Sequence, residues 1–481
     1  MVVVKDLQEP AQKAIRQMQL SQIARAAASF DEPNLIASAG LVPVMRLGRR
    51  AGLARLVART VSVPGGAGCD AAAKVASIVA GMITGADSID DLDVLREGAV
   101  HKLLPGVKAP STLGTFLRAF TFGHVRQLDA VADRVLTELA GMVGLLPDAE
   151  AGHRDAVCWL DADDTMRQTH GYRKQGVGYG YNKVKGLNAL LATVSTDTTA
   201  PVIVAHRLRR GGVNSVRGAG KFLADAIAAA RRTGITGVIC CRLDSAYYNH
   251  RVIAAITTAS ARFSVTARMD RAVQNAIAGI DQDAWISIKY PHAIYDEDEQ
   301  RWISDAQVAE IPYTAFTSKP AADRVSARLI VRRVKRLNPV SAPQGQGELF
   351  AAYRHHAAFT NSAEPMLTAE AHHRDHAIIE QVIADLKDSA LAHFPSGKFN
   401  ANAAWLACAV IAYNLARAAG VAAGGQLARA RTATIRSRLI NIPARVAYSA
   451  GTYTLHLPAN SRNEARFMAM YDVADAPPQA A

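Results

Sequence analysis

From about residue 5 to 145 the apolar positions recur at helical spacing, in Ala-rich segments broken by loops such as "VPGGAG". Near residue 156 the period shortens. "AVCWLDAD", "GLNALLATVST" and, beyond the turn signal "DTTA", "PVIVAHRLRR" read as three strands of an antiparallel meander. An amphipathic helix comes next in "SVRGAGKFLADAIAAARRTG", then an apolar strand "GVICCRLD", a helix "YNHRVIAAITTAS", a strand "RFSVTARM" and a helix "DRAVQNAIAGI". Together these segments predict the order β-β-β-α-β-α-β-α.

Residues of roughly 285 to 360 alternate Val, Ile and Arg among Pro, Gly and aromatic residues, as in "ARLIVRRVKRL" and "AAYRHHAAFTN", and read as a β-rich insertion. A long helix is predicted from about 368 to 390, then an apolar helix in "NAAWLACAVIAYNLARAA" and a hairpin in "VAYSAGTYTLHLP". The expected organisation is an all-helical domain at 1–150, the first part of an α/β core at 151–284, the insertion at 285–362, the second part of the core at 363–420 and a C-terminal region at 421–481. Within the helical part, "VKAPSTLGTFLRAFTFGHVRQL" offers Ser111 or Thr112 as an N-cap, ahead of a helix carrying Arg118, His124 and Arg126. That suits a DNA-binding or dimerisation domain, and equally a helical bundle with a solvated basic face.

Composition narrows the partners. The 481 residues are 49% hydrophobic and 20% charged, ordinary for a globular chain, and hold more than one domain's worth of core. With 55 Lys and Arg against 42 Asp and Glu the net charge is +13, which favours nucleic acid or another polyanionic surface. The five cysteines are scattered without a C-x-x-C, as expected of buried free thiols in a reducing, cytoplasmic setting. "MVVVKDLQEP" has no signal-peptide pattern, and "AAWLACAVIAYNLARAAG" is interrupted by Asn414 and Arg417, so a core helix is expected and no membrane.

The candidate chemistry lies at strand ends. Along "CWLDADDT", Asp161 and Asp163 fall on one face of a strand while Leu160 and Ala162 fall on the other. "GVICCRLDSAYY" likewise delivers Asp244 at the carboxyl end of an apolar strand, where open α/β sheets hold ligands. In "AHHRDHAIIEQVIADLKD", Glu380 and Lys387 are two helical turns apart, with His373 and His376 on the same predicted stripe. Gathering Asp163, Asp244 and Glu380 would set like charges together, a repulsion that a divalent cation removes. Hard oxygen donors suit Mg²⁺ or Mn²⁺, and two such ions would serve an in-line displacement at phosphorus.

The strings "LDADDT", "RLDSAYY" and "HHRDHAIIEQVIADLKD", together with "SFDEPNLIASAG", "KAPSTLGTFLR", "HGYRKQGVGYGYNKVKG" and "LAHFPSGKFNANAAWLA", resemble the DDE transposases of bacterial insertion sequences, most closely the insertion-sequence family numbered 1380. The resemblance implies a ribonuclease-H-like catalytic core interrupted by a β insertion. It also implies cut-and-paste transposition with two metal ions, acting on the terminal inverted repeats and target as a homodimer on paired DNA ends. It assigns Asp163, Asp244 and Glu380 as catalytic and metal-binding residues, with Asp161 as a supporting carboxylate. Related transposases carry Tyr, Arg, Glu and Lys in a fixed spacing on the third helix. Glu380 and Lys387 match it, whereas His373 and His376 stand at the Tyr and Arg positions and Asp164 stands where a small polar residue is usual. Lys387, His373 and His376 are then candidate DNA contacts, with Arg374 a substitute for the displaced Arg.

Weaker signals add to this. "GVGYGYNKVKG" does not open a helix after a strand, so a dinucleotide fingerprint is not indicated. Arg173, Lys174, Lys183 and Lys185 interleave there with Tyr172, Tyr179 and Tyr181, a composition suited to DNA backbone contact and stacking, or to a plain basic hairpin. His372 and His376 are four apart, but the Glu that a zinc peptidase needs between them is absent. A catalytically silent DNA-binding descendant and a nuclease without strand transfer are the rival functions.

Overall fold

The computed structural model describes residues 26–146, 157–170, 173–180, 183–289, 294–296, 301–303, 305–335 and 353–477. The predicted helical start before residue 26, and Tyr172 and Tyr181, lie outside these residues.

Among the described residues, the helices of eight or more residues that come first are α1 (Leu41–Arg50), α2 (Leu53–Thr60), α3 (Ala71–Thr84), α4 (Pro110–Arg118) and α5 (Phe122–Val143). The expected N-cap at Ser111 or Thr112 is displaced. Pro110 takes the first helical position, where its missing N–H would have been unpaired anyway. The segment also divides into two helices, because Thr121 starts α5 with a capping box whose hydroxyl accepts from the His124 N–H.

The α/β segments come in the predicted order: β1 (Cys158–Gln168), β2 (Lys185–Ser195), β3 (Val202–Arg210), α6 (Ala219–Arg232), β4 (Ile239–Leu243), α7 (His250–Thr258), β5 (Arg262–Thr266) and α8 (Arg271–Ala278). β1 pairs antiparallel with β2 and parallel with β4; β3 pairs antiparallel with β2, and β5 parallel with β4. The lateral order is therefore β3-β2-β1-β4-β5. This is a mixed α/β architecture compatible with the ribonuclease-H-like fold that the resemblance implies.

The β-rich segment does not stand apart from this sheet. Its strands β6 (Ala306–Ala315), β7 (Val325–Lys335) and β8 (Tyr353–Thr360) form an antiparallel ladder, and β8 pairs with β5 through Phe359 and Val265. β5 would otherwise be an open edge with unpaired backbone groups. The insertion thus prolongs one sheet to ten strands, counting the short strands Gly178–Tyr179 and Ile286–Ser287.

The helix expected over 368–390 is broken. α9 (Met366–Arg374) and α10 (Ile378–Lys387) are separated by a 3-10 turn at Asp375–Ala377. Such a turn winds at about 120° per residue instead of 100°, so three residues rotate the face of α10 relative to α9 by roughly 60°.

α11 (Phe399–Ala423) is the central helix. It packs on α1, α3, α5 and β3, and on the last helix α12 (Glu464–Asp475). By length and composition it passes as a membrane span, but 89% of its apolar window is buried inside the protein. Within it, Asn414 accepts from the Ile203 N–H (2.9 Å) and donates to the Ile203 carbonyl (2.8 Å), as a neighbouring strand would. Arg417 donates to the Ala430 carbonyl at 2.7 Å. One continuous apolar cluster runs from Leu41 through the sheet to α11 and Met470. The hairpin β9 (Ala444–Ser449) and β10 (Thr452–His456) forms as expected and pairs with Leu35–Ile36 near the other end of the chain. All five cysteines are free, and only Cys69 is exposed.

Candidate active site

β1 and β4 run side by side and parallel, and their register aligns Asp161 with Arg242 and Ala162 with Leu243. Alternation puts Asp161 and Asp163 on one face of β1. The two carboxylates nevertheless have different fates. Asp161 is 0% exposed and accepts two hydrogen bonds from Arg242, Nε to Oδ1 at 2.8 Å and Nη2 to Oδ2 at 2.7 Å. His376 Nδ1 donates to the same Oδ1 at 2.8 Å. Arg242 also donates to the His372 carbonyl (2.8 Å) and lies over the Trp159 ring, 4.8 Å from its centroid. Asp161 is therefore neutralised within the protein and ties β1 to β4 and to the turn that precedes α10.

One step further along the register, Asp163 and Asp244 meet with no such partner. Among the described residues Asp163 Oδ1 accepts from the Asp164 N–H (2.7 Å), and Asp244 caps the turn Ser245–Tyr247 by accepting from the Ala246 N–H (3.0 Å). Burial, and then the charge of Asp244, raise the Asp163 carboxyl from 3.8 to about 7. Burial likewise pushes Asp244 above the ordinary carboxylate range, opposed by its turn hydrogen bond and by His376. Two half-buried carboxylates whose ionisation is mutually opposed are the donor chemistry that fits a hard divalent cation.

Both lie in a cleft of about 920 Å³ that also takes in Asp164, Tyr179, Asn188, Gly211, Gly212, Asn214, Ser215, Arg268 and Lys387. Burial and the nearby Arg167 lower the Lys387 ammonium, while Asp163 acts the other way. The unusual Asp164 points into a polar network across the meander. It accepts from Asn188 Nδ2 (2.8 Å) and pairs with Arg209, whose Nε donates to Asn188 Oδ1 (2.9 Å). Its charge is balanced, so it braces β1, β2 and β3 beside the site.

The other predicted residues divide. Glu380 sits in the first turn of α10, exposed, and is not among the cleft-lining residues, whereas Lys387 at the other end of the same helix is. His376 lies within the 3-10 turn and bonds Asp161. Among the described residues no three His, Cys, Asp or Glu side chains form a group that could hold a metal. The fit to a cation therefore rests on Asp163 and Asp244.

Neither His373 nor His376 is among the cleft-lining residues. The His373 ring is held between Ser264 Oγ (2.9 Å) and Thr266 Oγ1 (3.0 Å) on β5, and burial lowers it to about 3. His372 bonds Glu364 at 2.9 Å and packs on Trp159, so His372 and His376 diverge towards different partners. Arg374 is engaged with Glu370 at 3.0 Å. Arg173, Lys183 and Lys185 are exposed on the hairpin after β1, and Lys174 is tied to the Phe394 carbonyl at 3.1 Å.

The sequence reading missed Arg242, Asn188 and Arg209. Arg242 and Asn188 are polar residues inside otherwise apolar strands, a signal that marks a buried partner but not which one, whereas Arg209 is one of several basic residues at the end of β3. A match to the family described as transposase DDE domain group 1 spans residues 19–476. Among curated proteins no match was found.

Proposed function

The chain belongs to the transposase DDE domain group 1 family, and we propose that it cleaves DNA at transposon ends and transfers the freed strand into target DNA by a cut-and-paste mechanism on a ribonuclease-H-like core. The observation that carries this reading is the pair Asp163 and Asp244, half-buried and unneutralised at the ends of adjacent parallel strands, in one cleft with Lys387. The net charge of +13 supports a DNA partner. The helices before residue 147, the insertion and the exposed Arg173, Lys183 and Lys185 are surfaces for the terminal repeats and for a second copy on the paired end, inside a bacterial cytoplasm.

Asp163 and Asp244 would hold Mg²⁺ or Mn²⁺, and Glu380, which lies outside the cleft lining here, is the proposed third carboxylate. A bound ion of this kind polarises a phosphoryl oxygen and lowers the pKa of a bound water or 3′-hydroxyl. Asp163 must lose its proton for this, and the neighbouring His376 favours the ionised form. Lys387 brings a positive charge to the same cleft, where it orients a phosphate for in-line attack. Asp161 holds His376 in place and takes no proton from substrate, being bonded to Arg242 on both oxygens.

The test is cleavage of a labelled duplex ending in the element's own terminal repeat, with Mg²⁺ or Mn²⁺, by the wild type, Asp244→Asn and Glu380→Gln. End-specific cutting lost in both variants, with DNA binding retained, is the expected result. Full activity in Glu380→Gln would remove that residue from the site.

A second reading, a DNA-binding descendant without cleavage, draws on the exposed position of Glu380 outside the carboxylate pair. DNA binding and synapsis without metal-dependent cutting by the wild type would select it.

A further inference from the structure

The catalytic reading uses only one side of the cleft. At about 920 Å³ the cleft far exceeds what a phosphate and its ions require and approaches the upper range for organic ligands. Its other side is built from Tyr179, Gly180 and the segment Gly211–Ser215. Tyr179 is 68% exposed, a large aromatic at the rim of a polar cleft.

Backbone packing fixes that position. The two-residue strand Gly178–Tyr179 pairs with Gly186 and Lys185 at the start of β2, and the hairpin closes through Gly180 N–H to the Val184 carbonyl at 3.0 Å. Beneath it runs Gly211, where an added Cβ would lie 2.1 Å from the Gly186 oxygen and 2.4 Å from the Gly178 oxygen. At Gly178 a Cβ would come within 2.9 Å of the Gly212 nitrogen. Three chain segments meet there without side chains, which latches the Tyr179 strand to the end of β3. Asn214 stands next to it, its Oδ1 held by the Val216 N–H at 3.0 Å, which leaves the amide nitrogen as the donor.

An exposed ring on a latched strand, glycine backbone at Gly211 and Gly212 and an amide donor in the same cleft match a planar heterocycle with polar edges. We propose that Tyr179 and the backbone of Gly211 and Gly212 form a slot for one unpaired nucleobase, the one next to the phosphate that a cation on Asp163 and Asp244 would hold. The ring supplies stacking, which tolerates any base, and Asn214 meets the base edge. This rests on the transposase reading, since it takes DNA as the substrate. It adds that the end must be unpaired at the cut, so fraying of the terminal base pairs belongs to substrate binding.

The experiment measures affinity of the full chain, with chelator present so that nothing is cut, for terminal-repeat duplexes with a short single-stranded overhang. One duplex carries normal bases, and a second carries an abasic analogue at each overhang position in turn. For the normal overhang, Tyr179→Ala is expected to bind about 5- to 150-fold more weakly than the wild type, the range of one aromatic–base stack, and Tyr179→Phe to match the wild type. At one position the abasic duplex should erase the difference between wild type and Tyr179→Ala. Equal affinity of wild type and Tyr179→Ala for the normal overhang would overturn the slot while leaving DNA binding intact. So would an equal loss on normal and all abasic duplexes, which would mark a structural defect. Absence of binding to any duplex would overturn the transposase reading itself.

Discussion

Asp161 and Arg242 form a two-pronged ion pair, with 2.7 and 2.8 Å contacts, at side chains that are 0% and 2% exposed. Because they are cross-strand partners of β1 and β4, this pair locks the register that brings Asp163 opposite Asp244 two residues further on. A one-residue slip of either strand would turn its own carboxylate to the opposite face of the sheet, away from the other. The buried pair therefore aligns the two strands beneath the candidate site.

Breaking that pair on one side should be severe. Arg242→Met leaves Asp161 buried with only His376, and a loss of about 3–5 kcal/mol of folding stability is expected in urea unfolding. The double variant Asp161→Leu with Arg242→Met should recover part of that loss, since neither charge is then stranded. A double variant no more stable than the single would show that the pair does not act as a unit.

Asp163 sets a pH dependence whose sign comes from its environment. Its carboxyl rises from 3.8 to about 7 in the fold. Between those values the folded protein holds a proton that the unfolded chain has released, so this group's contribution to stability falls as pH rises through that window. Above about pH 7 the ionised group opposes folding in full. Asp163→Asn is expected to raise the melting temperature at pH 8 and to change it little at pH 4. No gain at pH 8 would mean that burial and Asp244 do not strain this carboxylate.

A divalent cation should reverse that penalty. Mn²⁺ or Mg²⁺ at about 100 times its dissociation constant would stabilise the fold by roughly 2.7 kcal/mol. The thermal shift is expected to be larger at pH 8 than at pH 6, where a proton competes for Asp163, and to vanish in Asp244→Asn. A shift that is independent of pH and survives in Asp244→Asn would place the ion elsewhere.

His373 is predicted to be silent towards DNA. Its nitrogens are bonded to Ser264 and Thr266, and burial keeps it uncharged at any working pH. His373→Phe should lower stability by about 1–3 kcal/mol, by leaving two hydroxyls without their partner, and should leave duplex affinity within about twofold of the wild type. A large drop in affinity with unchanged stability would return His373 to the DNA surface.

Much of the α/β order was legible because each strand is a short apolar run and each helix an amphipathic one, with turn residues between them. Asp244 was legible because it directly follows the apolar run of "GVICCRLD", at the end of a strand. The role of Asp161 was not, since an Asp two residues before Asp163 looks the same in sequence whether it meets a metal or an arginine. The break in the helix at Asp375–Ala377 was also hidden, because "HHRDHAIIE" has helical periodicity throughout and no Pro or Gly to mark it.

The sequence alone determined the local elements, the +13 charge and the presence of carboxylates at two strand ends, all of which depend on neighbours along the chain. Tertiary structure decided which of those carboxylates stay unneutralised, which face of α10 turns to the cleft, and that the insertion prolongs the sheet. Charge balance and edge pairing are settled by residues far apart in sequence: Arg242 lies 81 positions from Asp161, and His376 lies 215. Only the folded chain brings such partners within hydrogen-bonding distance, and that contact separates a structural carboxylate from one left to bind a ligand.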